Sequence, residues 1–219
     1  MNFRVQDLMK ILIPGIITTF LSGVLILDVK QFTVLSSLIK DTMAVWILVF
    51  LSVVYLLGYF VDFLGSLLEQ LFYKYFDKPS LSLLNEKLKR IPLSDREQII
   101  EYLCEKLKRS SHRPFDKNSA NELFKYANVL KDYSSKRGNE KISDYYFSKI
   151  LSRNLSSSFL STFAIYAVFF LITPKAVPFN VCSLGLFLGF FCTGYRWRIH
   201  SFYYSRQVFY TACENLFKS

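Results

Sequence analysis

The sequence predicts an all-α integral membrane protein, with four transmembrane helices and a basic helical cytoplasmic domain inserted between the second and third. Three observations predict it. The chain is 52% hydrophobic and holds 22 Phe and 14 Tyr, more apolar surface than one small soluble core needs. That surface is gathered at the two ends of the chain. Between them, from Tyr73 to Leu155, 18 Lys or Arg stand against 11 Asp or Glu, so the middle is basic and wet.

A helix crossing ~30 Å of hydrocarbon needs about 20 mostly apolar residues. Four segments qualify: Ile11 to Leu27, Met43 to Leu68, Ser156 to Thr173, and Val177 to Tyr195. The first carries Pro14 and Gly15 within a turn of its expected start, where a missing N–H has no helical partner to lose. Arg4 and Lys10 precede it as in a signal peptide, but no small-x-small cleavage site ends it, so a retained helix is expected. The third and fourth segments are joined by Thr173-Pro-Lys-Ala-Val-Pro178, short enough to force an antiparallel hairpin. A re-entrant or buried pair is the alternative reading of these two. The chain is thus expected to divide into a transmembrane hairpin (1–72), a cytoplasmic domain (73–155), a second hairpin (156–195) and a cytoplasmic amphipathic helix (196–219).

Orientation follows from the Lys and Arg beside the spans, because flanking positive charge stays in the cytoplasm. Arg4, Lys10, Lys74, Lys78, Lys149, Arg153, Arg196, Arg198 and Arg206 fall on one side, and only Lys30, Lys40 and Lys175 on the other. Both termini and the central domain are therefore expected to be cytoplasmic.

The second span meets no proline or strong breaker between Met43 and Phe76, which predicts one helix of roughly 50 Å that outruns the bilayer. Asp77-Lys-Pro-Ser80 should end it. In the insert, Ser94-Asp-Arg-Glu97 and Ser119-Ala-Asn-Glu122 read as capping boxes ahead of Ile99, Ile100, Leu103 and of Leu123, Phe124, Ala127. Arg109 to Asn118 and Ser134 to Glu140 read as polar loops, and Ile142, Tyr145, Tyr146 and Ile150 as a last amphipathic stretch leading into the third span. Past Tyr195 and Trp197 the fourth helix should continue, since Ile199, Phe202, Phe209, Cys213 and Leu216 recur at helical spacing.

Enzymatic readings fare poorly. His112 and His200 stand in unrelated contexts, and no G-x-S-x-G, H-E-x-x-H, Walker loop or G-x-G-x-x-G occurs. Cys104, Cys182, Cys192 and Cys213 form no C-x-x-C pair and read as reduced, structural thiols. No catalytic residue, metal ligand or cofactor is expected.

Asp62 is the sharpest single feature, because an acidic residue within an apolar span usually faces a bundle interior or water. Glu69 follows seven residues on, with Gly58 and Gly65 interleaved at the same interval. On one reading this face lines a cation path or gate in an oligomer. On the other, Asp62 is hydrated near the headgroups or paired with a Lys or Arg of another helix. In the fourth span Cys182, Gly185, Gly189 and Cys192 make a stripe of small residues suited to close helix packing, within the chain or between copies.

Basic clusters mark the insert: Lys87, Lys89 and Arg90; Lys106, Lys108, Arg109, His112 and Arg113; Lys136, Arg137 and Lys141. They suit anionic headgroups at ~1 kcal/mol per charge, a nucleotide or oligonucleotide, or a plain solvated face. Interleaved tyrosines, Tyr126, Tyr133, Tyr145 and Tyr146, offer faces on which bases stack.

Pro14-Gly15 opening the first span, Tyr55-Leu-Leu-Gly-Tyr59 in the second, a cytoplasmic helical insert, a tight transmembrane hairpin and the Tyr/Arg-rich stretch Arg196 to Tyr210 together resemble four-transmembrane effectors of bacterial anti-phage defence. The layout is similar to that of the HalB-like channel subunits of the Hailong system. That resemblance implies a homotetrameric channel whose cytoplasmic part senses an oligonucleotide. The Kiwa membrane subunits share four spans and imply instead a sensor that works with a soluble partner protein. The functional expectation is an oligomeric, ligand-controlled ion channel, with a non-conducting sensor or scaffold as the alternative.

Overall fold

The structure, a computed structural model, describes residues 5–26, 43–85, 91–107, 115–133, 136–172 and 179–214. The described residues form seven α-helices and one 3-10 turn, with no strand among them. They are α1 (Val5–Ile26), α2 (Met43–Tyr75), α3 (Pro79–Leu84), α4 (Leu93–Lys106), α5 (Lys117–Leu130), the 3-10 turn Lys131–Tyr133, α6 (Lys136–Ile172) and α7 (Phe179–Ala212).

Three of these helices are long and apolar enough to cross a membrane, within Leu8–Ile26, Met43–Leu84 and Gly138–Ile172. The chain is a membrane protein with transmembrane helices. Helix α7 is not among the three; the span expected there, Val177 to Tyr195, begins outside the described residues, and Arg196 and Arg198 follow it. The lipid-facing character of α2 is plain in its exposed Val45, Leu48, Leu56, Phe60 and Phe63, which a water-soluble helix would bury.

The chain divides into two compact units. The first comprises residues 1–70 and 150–197. Its helix directions follow from side-chain register. Gly58 of α2 lies against Ile11 of α1 and Gly15 of α1 against Val54, so those two helices are antiparallel. Asn154 and Ser158 of α6 reach the carbonyls of Lys10 and Pro14 of α1, so α1 and α6 run parallel. Phe163 of α6 packs on Phe187 of α7 at 4.6 Å between centroids, and Ser156 donates to the Phe190 carbonyl, so α6 and α7 are antiparallel.

Pro14 is not at a helix start. Helix α1 begins at Val5, which places the proline well inside it. The missing N–H then frees the carbonyl four residues back, on Lys10, and Asn154 Nδ2 donates to that oxygen at 2.9 Å. A neighbouring helix thus repairs the break, the usual condition for proline inside a transmembrane helix.

The second unit comprises residues 71–149 and 198–219. Its core joins Leu83 and Leu84 of α3, Ile99, Ile100 and Leu103 of α4, Leu123 and Ala127 of α5, and Val208 and Phe209 of α7. Residues beyond Arg198 therefore help to build the same core as the insert. The Asn85 amide imitates a backbone pair: it donates to the Phe115 carbonyl at 2.7 Å and accepts from the Phe115 N–H at 2.8 Å.

Neither expected capping box forms. Helix α4 starts at Leu93 with Pro92 as its N-cap, and the Ser94 hydroxyl turns to Asp95 instead. Helix α5 starts earlier than Ser119 because the Asp116 carboxylate, an ionised acceptor, takes the Ser119 N–H at 2.9 Å. The polar stretch expected to be a loop before Ile142 is helical from Lys136, since α6 propagates through it as one 37-residue helix.

Candidate functional site

The charged residues of the first unit meet at one place. Arg153 of α6 donates from Nη2 to Asp62 Oδ1 at 2.7 Å and from Nη1 to Glu69 Oε2 at 2.9 Å. The arginine side chain is 8% exposed, that of Asp62 34% and that of Glu69 19%. The guanidinium fork spans the seven-residue interval between the two carboxylates, two turns of α2, which a point-charge ammonium would not do. Asn154, fully buried, adds a bond from Nδ2 to Asp62 Oδ1 at 2.9 Å and accepts from Arg153 Nε at 3.2 Å.

Close helix approach makes this possible. A β-carbon on Gly65 would meet Asn154 Oδ1 and Ser157 Oγ at 3.0 Å and Arg153 Nε at 3.1 Å. One on Gly58 would strike the Ile11 backbone. Gly58 and Gly65, with Val54 and Val61, are the buried residues of α2, so the interleaved glycines are its packing seam. Asp62 and Glu69 lie beside that seam and are only partly buried.

A further pattern on α2 escaped the sequence reading. Ser52, Tyr55, Tyr59, Asp62, Ser66 and Glu69 recur at alternating three- and four-residue steps, one polar stripe along an otherwise apolar helix. Its Asp62–Glu69 end is held by Arg153. Toward its other end Tyr55 and Tyr59 are 40% and 48% exposed, with their hydroxyls 3.0 Å apart and their rings edge to face. The signal was present in the 3.5-residue period. It was hidden because tyrosine and serine do not stand out in a hydropathy window as aspartate does.

Arg153 and Asn154 were also missed, the first having been read only as a flanking charge. The available sign was the polar run Ser152 to Ser158 at the head of an apolar segment. Ser152, Arg153, Asn154, Ser156, Ser157 and Ser158 are all buried. Ser157 and Ser158 donate to the carbonyls four residues back, on Arg153 and Asn154, which satisfies hydroxyls inside a bundle.

The small-residue stripe of α7 is divided. Gly189 packs under the Phe159 ring, whose carbons would meet an added β-carbon at 2.6–2.9 Å. Gly185 has nothing within 4 Å and Cys192 is exposed, while Cys182 is partly buried. All four cysteines are free thiols. Of the ligand candidates, Lys89, Arg90, Arg109, His112 and Arg113 lie outside the described residues. Lys136 and Arg137 open α6, with their side chains outside the described part.

In the second unit, Arg198 lies over Phe72, Phe76 and Phe202 at 5.3–5.9 Å, and Tyr145 stacks on Tyr203. Burial pushes the Tyr204 hydroxyl up to about 12, and likewise the Cys213 thiol. Both stay protonated at neutral pH, which makes Cys213 a packing residue and not a nucleophile. No three His, Cys, Asp or Glu side chains among the described residues come together as a metal ion would require. Compared with protein-family models, curated proteins and solved structures, the chain finds no match.

Proposed function

We propose that the chain is a multi-pass membrane protein that assembles into an oligomeric ion channel, with α2 lining the conducting path. The observation that carries this reading is the polar stripe from Ser52 to Glu69. Ionisable and hydroxylated residues on one face of a membrane helix mark a route for ions or water. Tyr55 and Tyr59 present their hydroxyls on the free surface of the chain, where hydrocarbon offers no further partner and a second copy or a water column does.

On this reading α7 is the fourth span, and alternating direction supports it: α1 and α6 run one way, α2 and α7 the other. The inner end of the path is closed by Arg153, which neutralises Asp62 and Glu69. Opening separates that clasp, under control of a nucleotide or other anionic ligand at the basic cytoplasmic domain. The resemblance in sequence layout to HalB-like defence effectors agrees with it. Reconstitution into planar bilayers tests the reading. Cation-selective conductance that Tyr55→Phe with Tyr59→Phe, or Asp62→Asn, alters in selectivity is the expected result, and its absence under every ligand condition tried would reject it.

One observation favours a second reading. Arg153 engages both carboxylates within a single chain, a use that needs no pore and suits a non-conducting sensor or scaffold that recruits a soluble partner. In that case Asp62→Asn preserves function once the fold is maintained, while charge reversal at Lys136 and Arg137 abolishes partner capture.

A further inference from the structure

Two sets of hydroxyls in the first unit contrast. Thr19, Ser52, Ser66, Ser157, Ser158 and Thr193 each donate to the carbonyl four residues back, at 2.7–3.1 Å. Thr18, Ser22, Thr162 and Ser183 do not, and their buried oxygens have no hydrogen-bond partner among the described residues. Thr18 is 1% exposed and Thr162 fully buried.

These four are not scattered. Helices α1 and α6 run parallel, paired at Lys10 with Asn154 and at Pro14 with Ser158. One helical step of four residues further, the same register sets Thr18 level with Thr162. Another sets Ser22 level with Tyr166, which is fully buried and lies against Cys182 of α7. Ser183 is the next residue along α7. The register thus places Thr18, Thr162 and Ser22 at two successive levels along the paired α1 and α6, beyond the polar line Glu69, Arg153, Asp62, Asn154, Ser158, with Ser183 beside the α7 residue that Tyr166 meets.

A buried hydroxyl left unpaired keeps its full desolvation penalty, and in a bilayer no bulk water relieves it. A hydroxyl both donates and accepts, and the four carry no charge. That set suits neither an anion nor a divalent cation. It suits water, which needs two to four polar partners and commonly satisfies such groups inside proteins.

We propose that the α1–α6 seam, closed by α7, is a water-binding site inside a single copy of the chain, and that its water extends the hydrogen-bonded line from the Asp62–Arg153 cluster toward Ser22 and Tyr166. The proposal is independent of the oligomeric path along α2, because it uses a buried seam and not an exposed face.

Radiolytic footprinting of the full-length protein in nanodiscs, in water enriched in oxygen-18, tests it. Ordered internal water oxidises neighbouring side chains that bulk solvent cannot reach. Tyr166 is expected to be labelled several-fold more than Phe209, which is equally buried in the apolar core of the second unit, after correction for intrinsic reactivity. Labelling of Tyr166 no greater than that of Phe209 overturns the proposal. Thermal stability supplies a second readout of opposite sign. If the hydroxyls hold water, Thr18→Val and Thr162→Val lower the unfolding midpoint, because the water loses partners. If they are dry, the same isosteric changes raise it, and the proposal falls. Should the double variant not fold, the wild-type labelling ratio still decides.

Discussion

Arg153 and Asp62, ninety-one residues apart, are joined at 2.7 Å between Nη2 and Oδ1 in a partly buried pair of the first unit. The bond ties α6 to α2, and a second bond from the same guanidinium to Glu69 extends the tie along α2. Charges this far out of bulk water are tolerated because each satisfies the other. Removing one leaves its partner stranded.

Arg153→Met is accordingly expected to destabilise the bundle, by less than the ~3–5 kcal/mol of a fully buried orphaned charge because Asp62 and Glu69 are only partly buried. Asp62→Asn together with Glu69→Gln in the Arg153→Met background should recover most of the loss, since the charges then vanish together. Detergent-solubilised protein followed by fluorescence-detected size exclusion after heating reads this cycle. Additive losses would show that the three residues do not act as one unit.

Asn154 and Pro14 should be coupled through the Lys10 carbonyl. Asn154→Leu costs ~1–3 kcal/mol when that oxygen and Asp62 lose a donor. Pro14→Ala restores the backbone N–H four residues from Lys10, so part of the Asn154→Leu penalty should disappear in its background. An unchanged penalty would mean that the Lys10 oxygen is not what Asn154 serves.

Glycines of the first unit should differ sharply. Gly15→Ala and Gly58→Ala bring a methyl onto the backbone of the opposing helix, where nothing flexible yields, and are expected to abolish assembly of the first unit. Gly23→Ala and Gly185→Ala meet nothing within 4 Å and should leave the unfolding midpoint unchanged or raise it slightly through helix propensity.

The second unit should weaken in alkali. Tyr204 and Cys213 keep their protons to about 12 in the folded state, against ordinary values of 10.0 and 9.0. The unfolded chain releases those protons first, so the stability they contribute is complete below pH 9 and is lost as pH rises toward 12. Cys213→Ala should flatten the part of the decline that begins near pH 9, and Tyr204→Phe the part that begins near pH 10. Chemical denaturation midpoints across that range measure both slopes.

At the acid end, the Asp116 carboxylate is held below its ordinary value by the Ser119 hydroxyl and N–H. Its cap on α5 is intact above the ordinary carboxylate value and is lost as pH falls through the lowered one. Asp116→Asn keeps a capping oxygen and should remove that acid dependence while retaining helix α5 by circular dichroism.

Composition and period were enough to establish much of this protein. An apolar run of membrane length must be helical where backbone groups find no water, and so the reach of α2 from Met43 to Tyr75, with its stop at Asp77-Lys-Pro, is legible residue by residue. The continuation of α7 past Trp197, and of α6 back to Ile142, is legible in apolar residues at helical spacing, while the start of α6 at Lys136 is not. Asp62 announced itself because charge inside such a segment is expensive.

What Asp62 does there was decided only by tertiary structure. Nothing in the order of residues says that Arg153, and not Lys149 or Arg196, turns inward, or that Asn154 meets the carbonyl freed by Pro14. Those partners depend on how far each helix rotates and slides against the next, a register set by glycines that admit backbone contact at Gly15, Gly58 and Gly65. Helix formation is local and follows from neighbouring residues. Side-chain pairing across helices is not, and one residue of slip would have sent the same charges elsewhere.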